Sequence, residues 1–157
     1  MTLGKVEIPP LHGTVADMLA HKSSVVHAVP PDTTVLEAIA QMDSKRVGAL
    51  LVMQGDKLVG ILSERDYTRK VILLGRASRD TRVSEIMTAQ VIVVRPQLGL
   101  GECLQLVTNH GIRHLPVVDG DRVIGVLSIG DLVRAVVAQQ AETISTLKSF
   151  IGSDYPT

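Results

Sequence analysis

Two short β-branched runs, VVHAV at residues 25–29 and VIVV at 91–94, each end near a proline, and each predicts a strand. Apolar positions at helical spacing follow. Val35, Ala38, Ile39 and Met42 share one face of a helix predicted from residue 34. Residues 100–107 repeat the pattern more weakly, because Gly99 and Gly101 lower helix propensity. GALLVM (48–53) and HLPVV (114–118) are continuous apolar runs that predict buried strands. Gly-Asp pairs at 55–56 and 120–121 then predict hairpin turns into a further strand. After Ser63 and Ser128 the spacing turns helical again, and the last helix is predicted over 131–151.

The two series are one pattern written twice. GILSERD at residues 60–66 returns as GVLSIGD at 125–131, and an offset of 65 holds without a gap from Val29/Val94 to Val71/Val136. Upstream, VADML (15–19) resembles VSEIM (83–87) at an offset of 68, which places a three-residue insertion between residues 19 and 25. Such duplication decides the architecture. Each copy reads strand–helix–strand–strand–helix and is too small to bury enough apolar surface alone. The expected fold is α/β, with two pseudo-symmetric repeats packed sheet to sheet over a shared core and a cleft beside each serine–aspartate motif. The expected segments are an N-terminal extension (1–12), repeat 1 (13–75), repeat 2 (76–137) and a C-terminal helix extension with tail (138–157). Residues 1–11 are expected to be mobile, with Pro9-Pro10 as a stop.

Composition narrows the function. Formal net charge is zero and aromatics are 2%, which argues against nucleic-acid binding through basic patches or stacking platforms. The one cysteine, Cys103, allows neither an internal disulfide nor a CxxC site and fits a reducing cytoplasm. Charged and polar residues interrupt every apolar run, so neither a membrane span nor a signal peptide is expected.

The S-x-x-D spacing has two readings. Serine is a preferred N-cap, and an acid three positions on completes a capping box. The same geometry also offers free amides and a positive dipole end to a phosphate. The serine hydroxyl could donate to that phosphate, the aspartate could accept from a ribose diol, and Gly60 and Gly125 could leave room for a flat ligand. Arg65 and Arg69 favour an anion, because basic residues in a first helical turn oppose the dipole. Arg65 could instead pair with Glu64 or point into water. Gly130 stands where the first copy has Arg65, so the two clefts should differ in charge. The histidines His12, His21, His27, His110 and His114 show no metal-ligand spacing, with His110 and His114 expected at a helix end and a strand. Cys103 lies on an apolar helix face and reads as an inert buried thiol. Gly99-x-Gly101 lacks the third glycine of a dinucleotide fingerprint.

GILSERD, IRHLPVVDGDRVIGVLSIGD and the 65-residue duplication resemble a pair of cystathionine-β-synthase (CBS) domains over roughly residues 13–137. SERDYTRKV and the C-terminal helix extend this likeness to stand-alone bacterial CBS-pair proteins. The resemblance implies a non-catalytic regulatory module that binds an adenine nucleotide (AMP, ATP or NAD(H)) in its inter-repeat clefts, without a catalytic cofactor. It also implies a homodimer that acts on an unidentified regulated protein. By position, Ser63 and Ser128 would contact phosphate, and Asp66 and Asp131 would contact ribose. The cleft beside Ser128 is expected to draw Thr33, Ala38, Val47, Gly48 and Ala49, then Arg113, His114 and Pro116. Leu98 and Cys103 replace Thr33 and Ala38 in the opposite cleft. Ile112, Arg65 and Arg69 complete the ligand-binding set, and Lys22 of HKSS (21–24) is a candidate phosphate contact. The alternatives are a structural dimerisation module with degenerate clefts, or a small nucleotide-processing enzyme. In the dimer, Val133, Val136, Val137, Ile144, Leu147 and Ile151 are the apolar positions available to a partner subunit or to the chain's own body.

Overall fold

The computed structural model describes residues 10–22 and 25–153, with side chains to residue 151. Most of the expected N-terminal extension, Ser23 and Ser24 lie outside the described residues. The elements are α1 (Val15–Ala20), β1 (Ala28–Val29), α2 (Val35–Lys45), β2 (Ala49–Gln54), β3 (Lys57–Ser63), α3 (Glu64–Tyr67), α4 (Val83–Ile86), α5 (Leu100–His110), β4 (His114–Asp119), β5 (Arg122–Ser128) and α6 (Ile129–Ser153). A π-helical turn, Thr68–Ile72, continues α3.

Each helix begins on one device. An acidic side chain three residues in accepts from the backbone amide just before the helix: Asp17 from Thr14, Glu37 from Thr34, Asp66 from Ser63, Glu85 from Arg82, Glu102 from Gly99 and Asp131 from Ser128. These satisfy amides that an α-helix leaves without intrahelical partners. At the far ends, α5 stops on Gly111 (φ 60°), whereas the equivalent stop of α2 places Arg46 at φ 55°. Only glycine adopts that conformation without steric cost.

The first sheet has the order β1-β2-β3, with β1 parallel to β2 and β2 antiparallel to β3. The second pairs β4 with β5 in the same register shifted by 65: Ala49↔Ser63 becomes His114↔Ser128. The predicted strand at 91–94 is reduced to one parallel bridge, Val94↔Val117, and the one at 25–29 to two residues. Val94 still bonds on both sides, to Pro116 and Val118. One bridge therefore does for the second copy what β1 does for the first.

The buried side chains form two clusters, not the single core expected. The first gathers Val35, Ala38, Met42, Leu50, Val52 and Leu62 with Val83 and Ile86 of α4. The second gathers Cys103, Val107, Leu115, Val117, Leu127 and Leu132 with Val15 of α1. The short helices are thus exchanged: α1 opens the first repeat in sequence but packs in the second core, and α4 opens the second but packs in the first core. The similar strings VADML and VSEIM form these helices. Leu51 and Pro116, equivalent and buried, project from the opposite face of their strands, where the two sheets meet.

The exchange explains Gly60 and Gly125. A Cβ at Gly60 would lie 2.5 Å from Met87 Sδ, and one at Gly125 would lie 2.7 Å from Leu19 Cδ2. The space the glycines provide is filled by the residues that end the exchanged helices, not left open for a flat ligand.

Candidate functional site

A cleft of about 590 Å³ opens where the first repeat's S-x-x-D motif faces the second repeat. On one wall stand Ser63, Arg65, Asp66, Arg69 and Lys70; on the other stand Gln90, Ile92, Ile112, Arg113 and His114, with Gly48 between. This corrects the expected pairing. Arg113 and His114, expected beside Ser128, line the Ser63 cleft together with Ile112. The reason is the pseudo-twofold relation, which sets the helix start of one repeat against the strand entry of the other. Within each repeat the helix start is tied to its own strand entry, Ile129 N–H donating to Arg113 C=O at 2.8 Å and Glu64 N–H to Gly48 C=O at 3.1 Å, so it is the lining of the cleft that brings the two repeats together.

The other residues expected beside Ser128, and Cys103, are held as follows. Ala38 is fully buried in the first core. Thr33 uses its carbonyl to accept from Val83 N–H at 2.8 Å. Val47 packs on the first core, Ala49 pairs with Ser63 across β2 and β3, and Pro116 lies between the sheets. Cys103 is fully buried in the second core, where burial above all pushes its thiol up to about 11.

The carboxylate of Asp66 is divided. Its Oδ2 accepts from Ser63 N–H at 2.9 Å and from Ser63 Oγ–H at 3.0 Å, while the Asp66 amide donates back to Ser63 Oγ at 3.2 Å. That is the capping box in full. Its Oδ1 faces the cleft, 3.0 Å from Lys70 Nζ and 3.4 Å from Thr88 Oγ1. Lys70, Thr88 and Gln90 were missed from sequence. Lys70 sits one helical turn beyond Asp66, and extending the offset-68 register past VSEIM would have placed Thr88 and Gln90 at this edge. Arg65 is neither paired with Glu64 nor free: its guanidinium crosses the cleft to donate to Gly111 C=O at 2.7 Å, at the negative end of α5. The other charged side chains of the lining are the cations Arg69, Lys70 and Arg113 and the carboxylate of Glu64, and Arg69 and Arg113 are exposed.

The second motif is arranged differently. Asp131 Oδ2 accepts from Ser128 N–H at 2.8 Å and from Lys22 Nζ at 2.6 Å, and Oδ1 is held by Arg134. Burial pushes the Asp131 carboxyl up, but the Lys22 ammonium and Ser128 amide more than reverse this, so it lies below the usual carboxylate range.

His114 carries the opposite sign. Burial first, then the charges of Lys22 and Arg113, hold its imidazole below the ordinary 6.5, against the pull of Asp131. An unfolded chain therefore takes up a proton at this histidine at a higher pH than the folded chain does. The stability contributed by neutral His114 is complete above about pH 6.5 and is lost as pH falls from there through the lower folded value. Melting temperature should fall between roughly pH 7 and 5, and this slope should shrink in His114→Gln; thermal melts across that range check both.

These features define a duplicated α/β module with a cationic cleft between its halves. A family model described as CBS domain matches residues 15–72 and again 83–138. The CBS domain-containing protein CBSX3, mitochondrial, of Arabidopsis thaliana is 43% identical over 129 residues, 79% of this chain and 63% of that protein's length. A solved CBS-domain protein of Burkholderia ambifaria MC40-6 matches with a TM-score of 0.79 and 49% identity, covering 82% of this chain and 96% of that one. The structure of CBSX2 in complex with AMP matches at a TM-score of 0.67 and 29% identity, over 81% of this chain and 98% of that one. The chain belongs to the CBS-domain family and carries a tandem pair of these domains. Among the described residues no helix is long and apolar enough to cross a membrane.

Proposed function

We propose that this chain is a regulatory sensor of adenine nucleotides (AMP, ATP or NAD(H)), which it binds between its repeats without turning them over. The observation that carries the reading is the Ser63–Asp66 cleft. It has the volume of a small-molecule site. A carboxylate oxygen aimed at a ribose diol lies beside Arg69, Lys70 and Arg113, which suit phosphate. Aliphatic Ile92 and Ile112 suit an adenine face. The AMP complex of a 29% identical relative supports the ligand class. The reading includes a reducing compartment such as the cytoplasm, and a homodimer. Val133, Val137, Ile144, Leu147 and Ile151 are at least half exposed and fall on one face of α6. Ligand binding would bias the geometry of that dimer only as far as the ligand prefers one state, and a regulated partner would read the difference.

A second reading has one observation in its favour. Both S-x-x-D motifs make reciprocal caps within the chain itself, which is what a purely structural dimerisation module needs. A thermal-shift panel of AMP, ADP, ATP, NAD, NADH and adenosine separates the two. A ligand at 100 times its Kd adds about 2.7 kcal/mol, a rise of roughly 5–10 °C for a chain of this size. Light scattering of the same sample should give twice the 16.9 kDa chain mass. No shift with any compound would favour the structural module.

A further inference from the structure

The two halves differ most at one atom, the ammonium of Lys22. In the first half Asp66 Oδ2 is shared by the Ser63 amide and the Ser63 hydroxyl. In the second, Lys22 Nζ takes the hydroxyl's place on Asp131 Oδ2 at 2.6 Å, and among the described residues the Ser128 hydroxyl proton has no acceptor. Lys22 also donates to Val126 C=O at 2.6 Å. The equivalent carbonyl, Ile61, receives the Thr88 backbone amide at 2.9 Å. A side-chain cation thus stands where the first half uses backbone, and it comes from the segment between residues 19 and 25 in which the repeat register slips. With Arg134 on Oδ1, both oxygens of Asp131 are engaged by cations and its side chain is only 6% exposed.

We propose that Lys22 is a latch that makes the Ser128–Asp131 cleft selective for phosphorylated nucleosides. This rests on the nucleotide reading above and deepens it. A ribose diol that takes Asp131 Oδ2 must displace the ammonium. An uncharged nucleoside then leaves Lys22 without an anionic partner in a half-buried position, which is costly. A nucleotide supplies that partner: Lys22 passes from the carboxylate to the phosphate, and the freed Ser128 hydroxyl has an acceptor. Gly130, where the first cleft has Arg65, leaves Lys22 and Arg134 as the cations at this helix start. In the first cleft Lys70 sits on Asp66 Oδ1 at 3.0 Å and on Ile86 C=O at 2.9 Å, but Asp66 Oδ2 stays with Ser63, and the exposed Arg69 and Arg113 supply further cations.

The test uses the full chain with Arg69→Ala and Arg113→Ala, which weaken the first cleft at exposed positions. AMP and adenosine are titrated calorimetrically, with Lys22 intact, as Lys22→Met, and as Lys22→Gln. Glutamine keeps a donor for Val126 and removes the charge, so it serves if Met disturbs the fold. With Lys22 intact, AMP should bind at least tenfold tighter than adenosine. Either Lys22 variant should cut that preference about tenfold, with AMP weakened and adenosine strengthened. An unchanged preference, including one accompanied by a lowered melting temperature, would make Lys22 a structural pin and overturn the proposal. So would an arginine double variant that binds neither compound although the parent chain binds AMP, since the second cleft would then be a closed plug. If the parent chain binds neither AMP nor adenosine, the nucleotide reading itself fails.

Discussion

The Arg69→Ala/Arg113→Ala double variant should lose about a hundredfold in affinity for AMP at the first cleft and keep its fold. Both guanidinium groups line the Ser63–Asp66 cleft, from opposite repeats, and both residues are exposed. A hydrogen bond to a charged group is worth about 1.5–3 kcal/mol, and each 1.4 kcal/mol is tenfold in Kd. Solvent screening at exposed positions places each arginine near the lower end, about tenfold apiece. Adenosine should be affected far less, because its ribose and base contacts do not involve these charges. The loss should be larger for ATP than for AMP, and raising the salt concentration should weaken the parent chain more than the variant. Exposed substitutions of this kind change stability by about 0.5 kcal/mol or less, so the unliganded melting temperature should hardly move. Calorimetric titration and a parallel thermal melt read both quantities. Equal AMP affinity in parent and variant would place the phosphate outside this cleft.

Ile86→Ala should lower the melting temperature by roughly 5–15 °C. Ile86 is 1% exposed on α4, packed among first-repeat side chains although it belongs to the second repeat in sequence. Truncating a buried isoleucine to alanine costs about 2–5 kcal/mol through lost burial and the cavity left behind. For a chain of this size each kcal/mol moves the midpoint by about 2–4 °C. The location of the damage is the sharper part of the prediction. Hydrogen exchange should show lost protection in β2 and β3, whose Leu50, Val52 and Leu62 share the cluster with Ile86, before β4 and β5. Protection lost first in β4 and β5 would contradict the helix exchange seen in the structure.

Both results depend on how the repeats meet, and there the sequence was least informative. Periodicity located α2, α5, β2 to β5 and α6 to within a few residues, because each has an unbroken apolar face or run. VIVV at 91–94 reads as a strand as readily as VVHAV does, yet only Val94 finds a bridge. β-branched residues favour extended backbone, but whether a partner edge lies alongside is a tertiary matter. The glycines of the signature suggested space for a ligand; Met87 and Leu19 occupy that space.

The same division runs through the site. The duplication and the S-x-x-D caps are local or periodic properties, and the sequence by itself determined them. Residues three apart at a helix start must meet, whatever the rest of the chain does. Which strand entry faces which cap, which short helix fills which core, and Lys22 reaching Asp131 across 109 positions were decided only by the tertiary structure. The physical reason is that pseudo-symmetric halves can be paired in more than one way without changing any local pattern. Only packing, through Val15 and Ile86 in opposite cores and through the closed approach of Met87 to Gly60, selects one pairing.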